Sequence, residues 1–241
     1  MERPILFNTE MVKAILAGRK TQTRRLCKIR SIIDFRPIDH AKCMTVEFPK
    51  RNYKGPCANF FDAKGEYLGA AQTPAQPGDT LWVRETWCRW WLPHGEWSYS
   101  YKATSPNGNM APTSPDPEDE WFVMPWKPSI HMPREAARLF LKVTAVRTER
   151  LQDITMDEIR KEGLVPSCAM CHFNAAQETG EIECTKGVVT SADCGLENLF
   201  PDLGFRGLWN STIKEADPPR YGWDANPWVW VIEFERMEAQ P

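Results

Sequence analysis

The stretch Gly18-Arg19-Lys20-Thr21-Gln22-Thr23-Arg24-Arg25 sets a lysine three residues before a threonine and crowds both with arginine. A lysine surrounded by like charge has its ammonium form disfavoured, so Lys20 can be poised as a base. A threonine hydroxyl is a poor nucleophile until such a base takes its proton, which makes Thr23 the group Lys20 would activate. The same residues admit a plainer reading, in which Lys20 binds a phosphate and Thr23 only prefers a strand. Arg19, Arg24 and Arg25 are suited to neutralising phosphates, each contact adding to a salt-dependent affinity. Trp87, with Trp90, Trp91 and Trp97, offers rings on which unpaired bases can stack, at roughly 1–3 kcal/mol per base. Packing of those rings into a core or loop is the alternative. Trp82 and Trp230 alternate with other apolar residues and are assigned to the core.

Four of the eight cysteines are clustered. Cys168-Ala-Met-Cys171 has the two-residue spacing that lets both thiolates reach one tetrahedral ion, and Cys184 and Cys194 could close a structural zinc site. Cys184 and Cys194 are nine residues apart rather than two, and His172 adjoins as a substitute ligand. Such a closed site would be structural rather than catalytic. Cys27, Cys43, Cys57 and Cys88 are dispersed and read as ordinary thiols.

The elements that must position these groups are legible in part. Residues 3–7 read as a strand, followed by a helix capped by Asn8 or Thr9, running through Ala17 and stopped by Gly18. The basic run is therefore presented directly after a helix end. Thr80–Trp87 alternates Leu81, Val83 and Glu85 against Trp82, Arg84 and Thr86, the period of a strand. Trp97–Tyr101, Leu139–Thr148 and Trp228–Phe234 are further strands, and 205–213 suits a helix. Thr155-Met-Asp-Glu158 is a capping box that opens a short helix, closed by Gly163. Residues 104–120 read as a surface loop. Residues 27–75 and 164–200 read as loop-rich insertions in a single domain spanning 1–241. Several strands, few helices and long connections imply a mostly β or α+β fold, either a small barrel or a mixed α+β domain carrying insertions.

Hydrophobic residues at 42% and charged residues at 26% exclude wholesale disorder. No apolar run approaches the roughly 20 residues needed to span a bilayer, and no signal-like start is present, so a cytoplasmic, non-membrane protein is expected. Net charge is −2, yet residues 1–54 hold 13 Lys/Arg against 5 Asp/Glu, or +8, and the remainder sums to −10. A basic region of this kind suits an anionic partner, nucleic acid above all. No G-x-G-x-x-G, P-loop or H-E-x-x-H occurs, and no organic cofactor is expected.

The run from Gly18 to Arg25 resembles the signature of the ASCH family, within the PUA-like superfamily. Gly18, Lys20 and Arg25 match, and Thr23 stands where most members have glutamate. Small ASCH proteins that hydrolyse acetylcytidine have threonine there, in a very similar Gly-Arg-Lys-Thr-x-Thr run. Leu141–Asp157 resembles that family's strand and following helix, and Glu162 falls at its third functional position. Gly78–Val83 and Trp230–Glu235 resemble two of its strands. Longer prophage-encoded members are similar over Ile5–Thr23, Gln76–Trp87, Ser129–Gly163 and Tyr221–Phe234, about half of the chain. The resemblance implies a PUA-like barrel whose cleft, lined by Lys20, Thr23, Arg25 and Glu162, takes RNA or a modified nucleoside. Lys20, Thr23 and Glu162 would form a catalytic set for amide hydrolysis on an acylated cytidine, or for RNA cleavage. A non-catalytic module that reads RNA or a modified base is the competing expectation, and a phage assembly or interaction protein is a third.

Overall fold

A computed structural model describes residues 1–31, 33, 36–47, 57–91, 97–105, 125–164, 167–168, 173–174, 182–184, 187–189 and 201–237. In chain order the elements begin with β1 (Glu2–Leu6), α1 (Thr9–Leu16), β2 (Gln22–Leu26), β3 (Thr45–Glu47), β4 (Cys57–Phe61) and β5 (Tyr67–Gln72). Next come β6 (Thr80–Arg84), β7 (Trp87–Trp91), β8 (Trp97–Tyr101), β9 (Phe140–Arg150) and α2 (Met156–Lys161). Then follow β10 (Ser167–Cys168), β11 (Phe173–Asn174), β12 (Ile182–Cys184), β13 (Gly187–Val189), α3 (Pro201–Thr212), α4 (Pro218–Tyr221) and β14 (Trp228–Arg236). Strands dominate, as expected. The described strands form open sheets, however, and no closed barrel is present among them.

The chain divides into two compact units, each assembled from separate segments. The first comprises Met1–Thr21, Pro77–Thr144 and the chain from Phe234. The Asn8 side chain accepts the Met11 N–H at 2.8 Å and so caps α1, which buries Val12, Ala14 and Ile15. Gly18 ends the turn at φ 73, a conformation that only glycine adopts freely. β1 runs parallel to β6 with Ile5 opposite Val83, and β6 runs antiparallel to the start of β9 with Leu81 opposite Leu141. These residues are buried. The alternation continues to Glu85, which is also buried and is held by Arg138 through two bonds of 2.9 and 3.0 Å. Trp82, on the other side of β6, is only half-buried, with the Arg84 guanidinium 5.5 Å from its ring centroid; its assignment to the core is corrected. The β7–β8 hairpin packs Trp87, Tyr99 and Tyr101 with Met132 and Ala136.

The second unit comprises Gln22–Gln76 and Ala145–Glu233. Here the later half of β9, then β14, then β2 lie side by side, with β2 at the edge. β14 and β2 are antiparallel, setting Trp230 opposite Arg25, Val231 opposite Arg24, Ile232 opposite Thr23 and Glu233 opposite Gln22. Residues opposite one another project to the same side and neighbours to opposite sides. Trp228, Trp230 and Cys27 therefore enter one cluster, with Ala58, Phe60 and Ala71. Val229, Val231 and Leu26 enter another, with Ile159, Phe205, Trp209 and Trp223. The sheet is thus covered by the β4–β5 strands on one face and by helices on the other.

The expectation of an irregular 27–75 segment is corrected, because β3, β4 and β5 form an antiparallel sheet. Ala58, Phe60 and Ala71 supply its buried face, a short period that the scattered Gly, Pro and Asn obscure in the sequence. Gly69 marks a close approach: a Cβ there would lie 2.4 Å from the Arg30 carbonyl, beside the bridge that Arg30 makes with Ala70. Most of 104–120 lies outside the described residues. No helix among the described residues is long and apolar enough to cross a membrane.

Candidate functional site

β2 carries the basic run, and its alternation separates the run's side chains. Thr23 and Arg25 share the face of Trp230, whereas Gln22 and Arg24 share the face of Val231 and Glu233. Thr23 is 4% exposed and Arg24 5%. On the Arg24 side a ladder of charge crosses the three strands. The Arg24 guanidinium bonds the Glu162 carboxylate at 3.1 Å, lies 3.2 Å from that of Glu158, and also bonds Glu149. Arg147 reaches Glu149 at 3.3 Å and bonds Glu158 and Glu233. Two guanidinium groups thus hold four carboxylates.

α2 delivers two of those carboxylates. Its start is fixed by the expected capping box: the Thr155 hydroxyl accepts the Glu158 N–H, and the Glu158 carboxylate accepts the Thr155 N–H at 2.9 Å. Gln22 docks the helix on β2 by donating to the Glu158 carbonyl at 3.0 Å. Glu162 sits at the helix end, buried, and Gly163 leaves at φ 88. Burial pushes the Glu158 carboxyl up, but the Thr155 N–H and the Arg24 and Arg147 guanidinium groups outweigh it and hold it below the usual range. Burial likewise pushes the Arg25 guanidinium down, and the Glu162 carboxylate opposes that shift. Glu162 therefore acts on the cations of both faces of β2. Arg24 Nε and Gln22 Oε1 are buried and lack a hydrogen-bond partner, a donor and an acceptor two residues apart on one face.

The other expected residues fall as follows. Lys20 belongs to the first unit, is 4% exposed, and holds its ammonium 5.5 Å from the Phe7 ring centroid. Arg19 is exposed. Arg24, expected to meet phosphates, is enclosed by carboxylates instead, because strand alternation turns it toward the helical face. Trp87, expected to stack on bases, is 3% exposed and has the Lys127 ammonium 5.4 Å from its ring centroid. Trp97 is 48% exposed. The side chains of Trp90 and Trp91 lie outside the description.

Cys168 and Cys184 are the last residues of β10 and β12 and pair with Phe173 and Gly187, the first residues of β11 and β13. Cys171, His172 and Cys194 lie outside the described residues. Cys27, Cys43, Cys57 and Cys88 are buried thiols, and burial pushes Cys43 up to about 11. Among the described residues no cluster of three or more His, Cys, Asp or Glu side chains is placed to hold a metal.

Glu149, Arg147, Glu158 and Glu233 were not anticipated as site residues. The signal was present in part: Arg147 and Glu149 alternate along a strand, and Glu233 continues the alternation of Val229 and Val231. Compared with protein-family models, with curated proteins and with solved structures, the chain matches none.

Proposed function

We propose that this chain is an ASCH-type, PUA-like protein that binds RNA or a modified nucleoside at the Gly18–Arg25 run and hydrolyses an acyl amide there. The reading is supported above all by Glu162, which folding carries to β2 and to the residue next to Thr23, although 138 residues separate it from Arg24 in the chain. The family resemblance and Thr23 at the variable position of the signature favour acylated cytidine as substrate over RNA cleavage. In this chemistry Lys20, three residues before Thr23 in sequence, takes the hydroxyl proton as Thr23 Oγ attacks the acyl carbonyl. Collapse of the adduct breaks the C–N bond, and the nucleoside amine leaves with a proton. Water then cleaves the Thr23 ester and releases the acid. Glu162 would steady the charge of the basic groups around it.

The test is to incubate the full chain with acylated nucleosides and short RNAs and to read products by mass spectrometry. Release of acetate, lost about 10²-fold or more in both Lys20→Ala and Thr23→Ala, is the expected result. The double variant should be no worse than either single one, since groups that act together are non-additive in mutation. Both side chains are buried, so a matching thermal transition is required of each variant. Absence of any product removes the enzyme reading and leaves a binding module. That second reading has its own support, because Glu162 bonds Arg24 on the face of β2 opposite to Thr23.

We also propose a structural zinc bound by Cys168, Cys171, Cys184 and Cys194, with His172 as the alternative ligand. Its support is the two-residue spacing together with the strand-end positions of Cys168 and Cys184.

A further inference from the structure

The β7–β8 hairpin carries one face of large side chains that changes character along its length. Its ladder sets Trp87 opposite Tyr101 and Arg89 opposite Tyr99, and Trp97 lies two residues before Tyr99, so these five residues lie on one side. At the inner end that face is closed. Trp87 is buried against Met132 and Ala136, the Tyr101 hydroxyl donates to the Ala136 carbonyl at 2.7 Å, and Arg138 lies 3.9 Å over the Tyr101 ring. In the middle, the Tyr99 hydroxyl donates to Glu135 at 2.8 Å. Arg89 is exposed, its guanidinium lies 4.4 Å over the Trp97 ring, and Trp97 keeps 48% of its surface exposed.

We infer that Arg89 and Trp97 form a stacking platform for an unpaired base of single-stranded RNA. An indole on a sheet face offers a flat apolar surface to any base, and a guanidinium beside it adds both a second stacking plane and a contact for the adjoining phosphate. Charge decides the partner class. Arg89, Lys102 and Lys127 stand on or beside the hairpin; of the acids around it, Glu96 adjoins Trp97 in the sequence, Glu85 is held by Arg138, and Glu135 accepts the Tyr99 hydroxyl. A cationic aromatic surface suits a polyanion with planar groups better than a neutral sugar or an apolar peptide. The inference rests on the nucleic-acid reading above but uses residues outside the Gly18–Arg25 run and Glu162.

The experiment is a fluorescence-anisotropy titration of the full chain with a labelled oligouridylate and with an abasic ribose-phosphate chain of equal length. Trp97→Ala should weaken oligouridylate binding about tenfold and leave the abasic chain unchanged, while Trp97→Phe restores most of the loss. Arg89→Gln should weaken both. Equal loss for both chains in Trp97→Ala, or no loss although the wild type binds, overturns the platform and leaves RNA binding intact. A wild-type chain that binds neither ligand overturns the platform and the nucleic-acid reading together. Trp97→Phe is smaller but keeps an aromatic face at this position, so it separates a stacking defect from a folding defect.

Discussion

Arg24 belongs, by sequence, to a row of phosphate-seeking arginines, yet its guanidinium lies among Glu149, Glu158 and Glu162. Removing one partner from a buried ion cluster leaves uncompensated charge, so Arg24→Ala should lower the unfolding free energy by about 3–5 kcal/mol. Arg19→Ala, at an exposed position, should stay within about 0.5 kcal/mol. Urea unfolding of the two variants makes the comparison; equal midpoints would show that the ladder is not holding the sheet. His40 has the same kind of hidden role. Its Nδ1 accepts the Trp228 N–H at 3.0 Å, and its ring meets Tyr221 edge-on. Burial, with the nearby charges of Arg150 and Arg220, lowers its pKa from 6.5 to about 4. The unfolded chain therefore takes up this proton first as pH falls. Stability should be full above pH 6.5 and fall between 6.5 and about 4, by roughly 3 kcal/mol in total. Glu158 shifts the other way in origin but with the same sign, since its lowered pKa costs stability only below about pH 4.5. Unfolding measured at pH 7 and pH 5 should show a loss that His40→Asn reduces.

At the scale of elements, α2 is the piece that matters, since a six-residue helix cannot stand alone. It persists because Thr155 and Glu158 close its first turn and Ile159 enters the core beside Trp209. It is this short helix that sets Glu158 and Glu162 against β2. The β10–β11 and β12–β13 hairpins are shorter still, two and three residues per strand. Strands of that length bury too little to be stable without another source of free energy, and a bound metal is one. Purified chain should carry about one equivalent of zinc by elemental analysis. Cys168→Ser should release it, and cobalt substitution should give the visible absorption of a tetrahedral thiolate site. Well under half an equivalent in protein never exposed to chelator would end the zinc proposal.

Over the whole molecule the −2 net charge conceals a strongly basic N-terminal quarter and an acidic remainder. Part of that opposition is consumed internally, since Arg24 and Arg147 meet four glutamates drawn from β9, α2 and β14. Only cations left at the surface can displace counterions from RNA. Binding to single-stranded RNA should weaken steeply between low and moderate salt. Arg19→Ala should reduce the slope of log K against log salt by close to one. A slope unchanged in Arg19→Ala, or affinity independent of salt, would remove this electrostatic role.

The sequence by itself determined the elements whose signals are local. The Asn8 cap and Gly18 stop bound α1, the capping box opened α2, and alternation marked β6, β9 and β14, because caps and periods act over a few residues. It also carried the Gly18–Arg25 run and the C-x-x-C pair as patterns. What only the tertiary structure decided were the long-range choices. Within 27–75, β3, β4 and β5 became a sheet because Ala58, Phe60 and Ala71 found an apolar face to cover on Trp228 and Trp230. Arg24 and Arg25, adjacent in sequence, were sent to opposite faces by the register of β2 against β14. Trp87 was buried and Trp97 left exposed, although both lie on one face of the same hairpin. Burial depends on which distant segment arrives to cover a face, and no local pattern encodes that arrival.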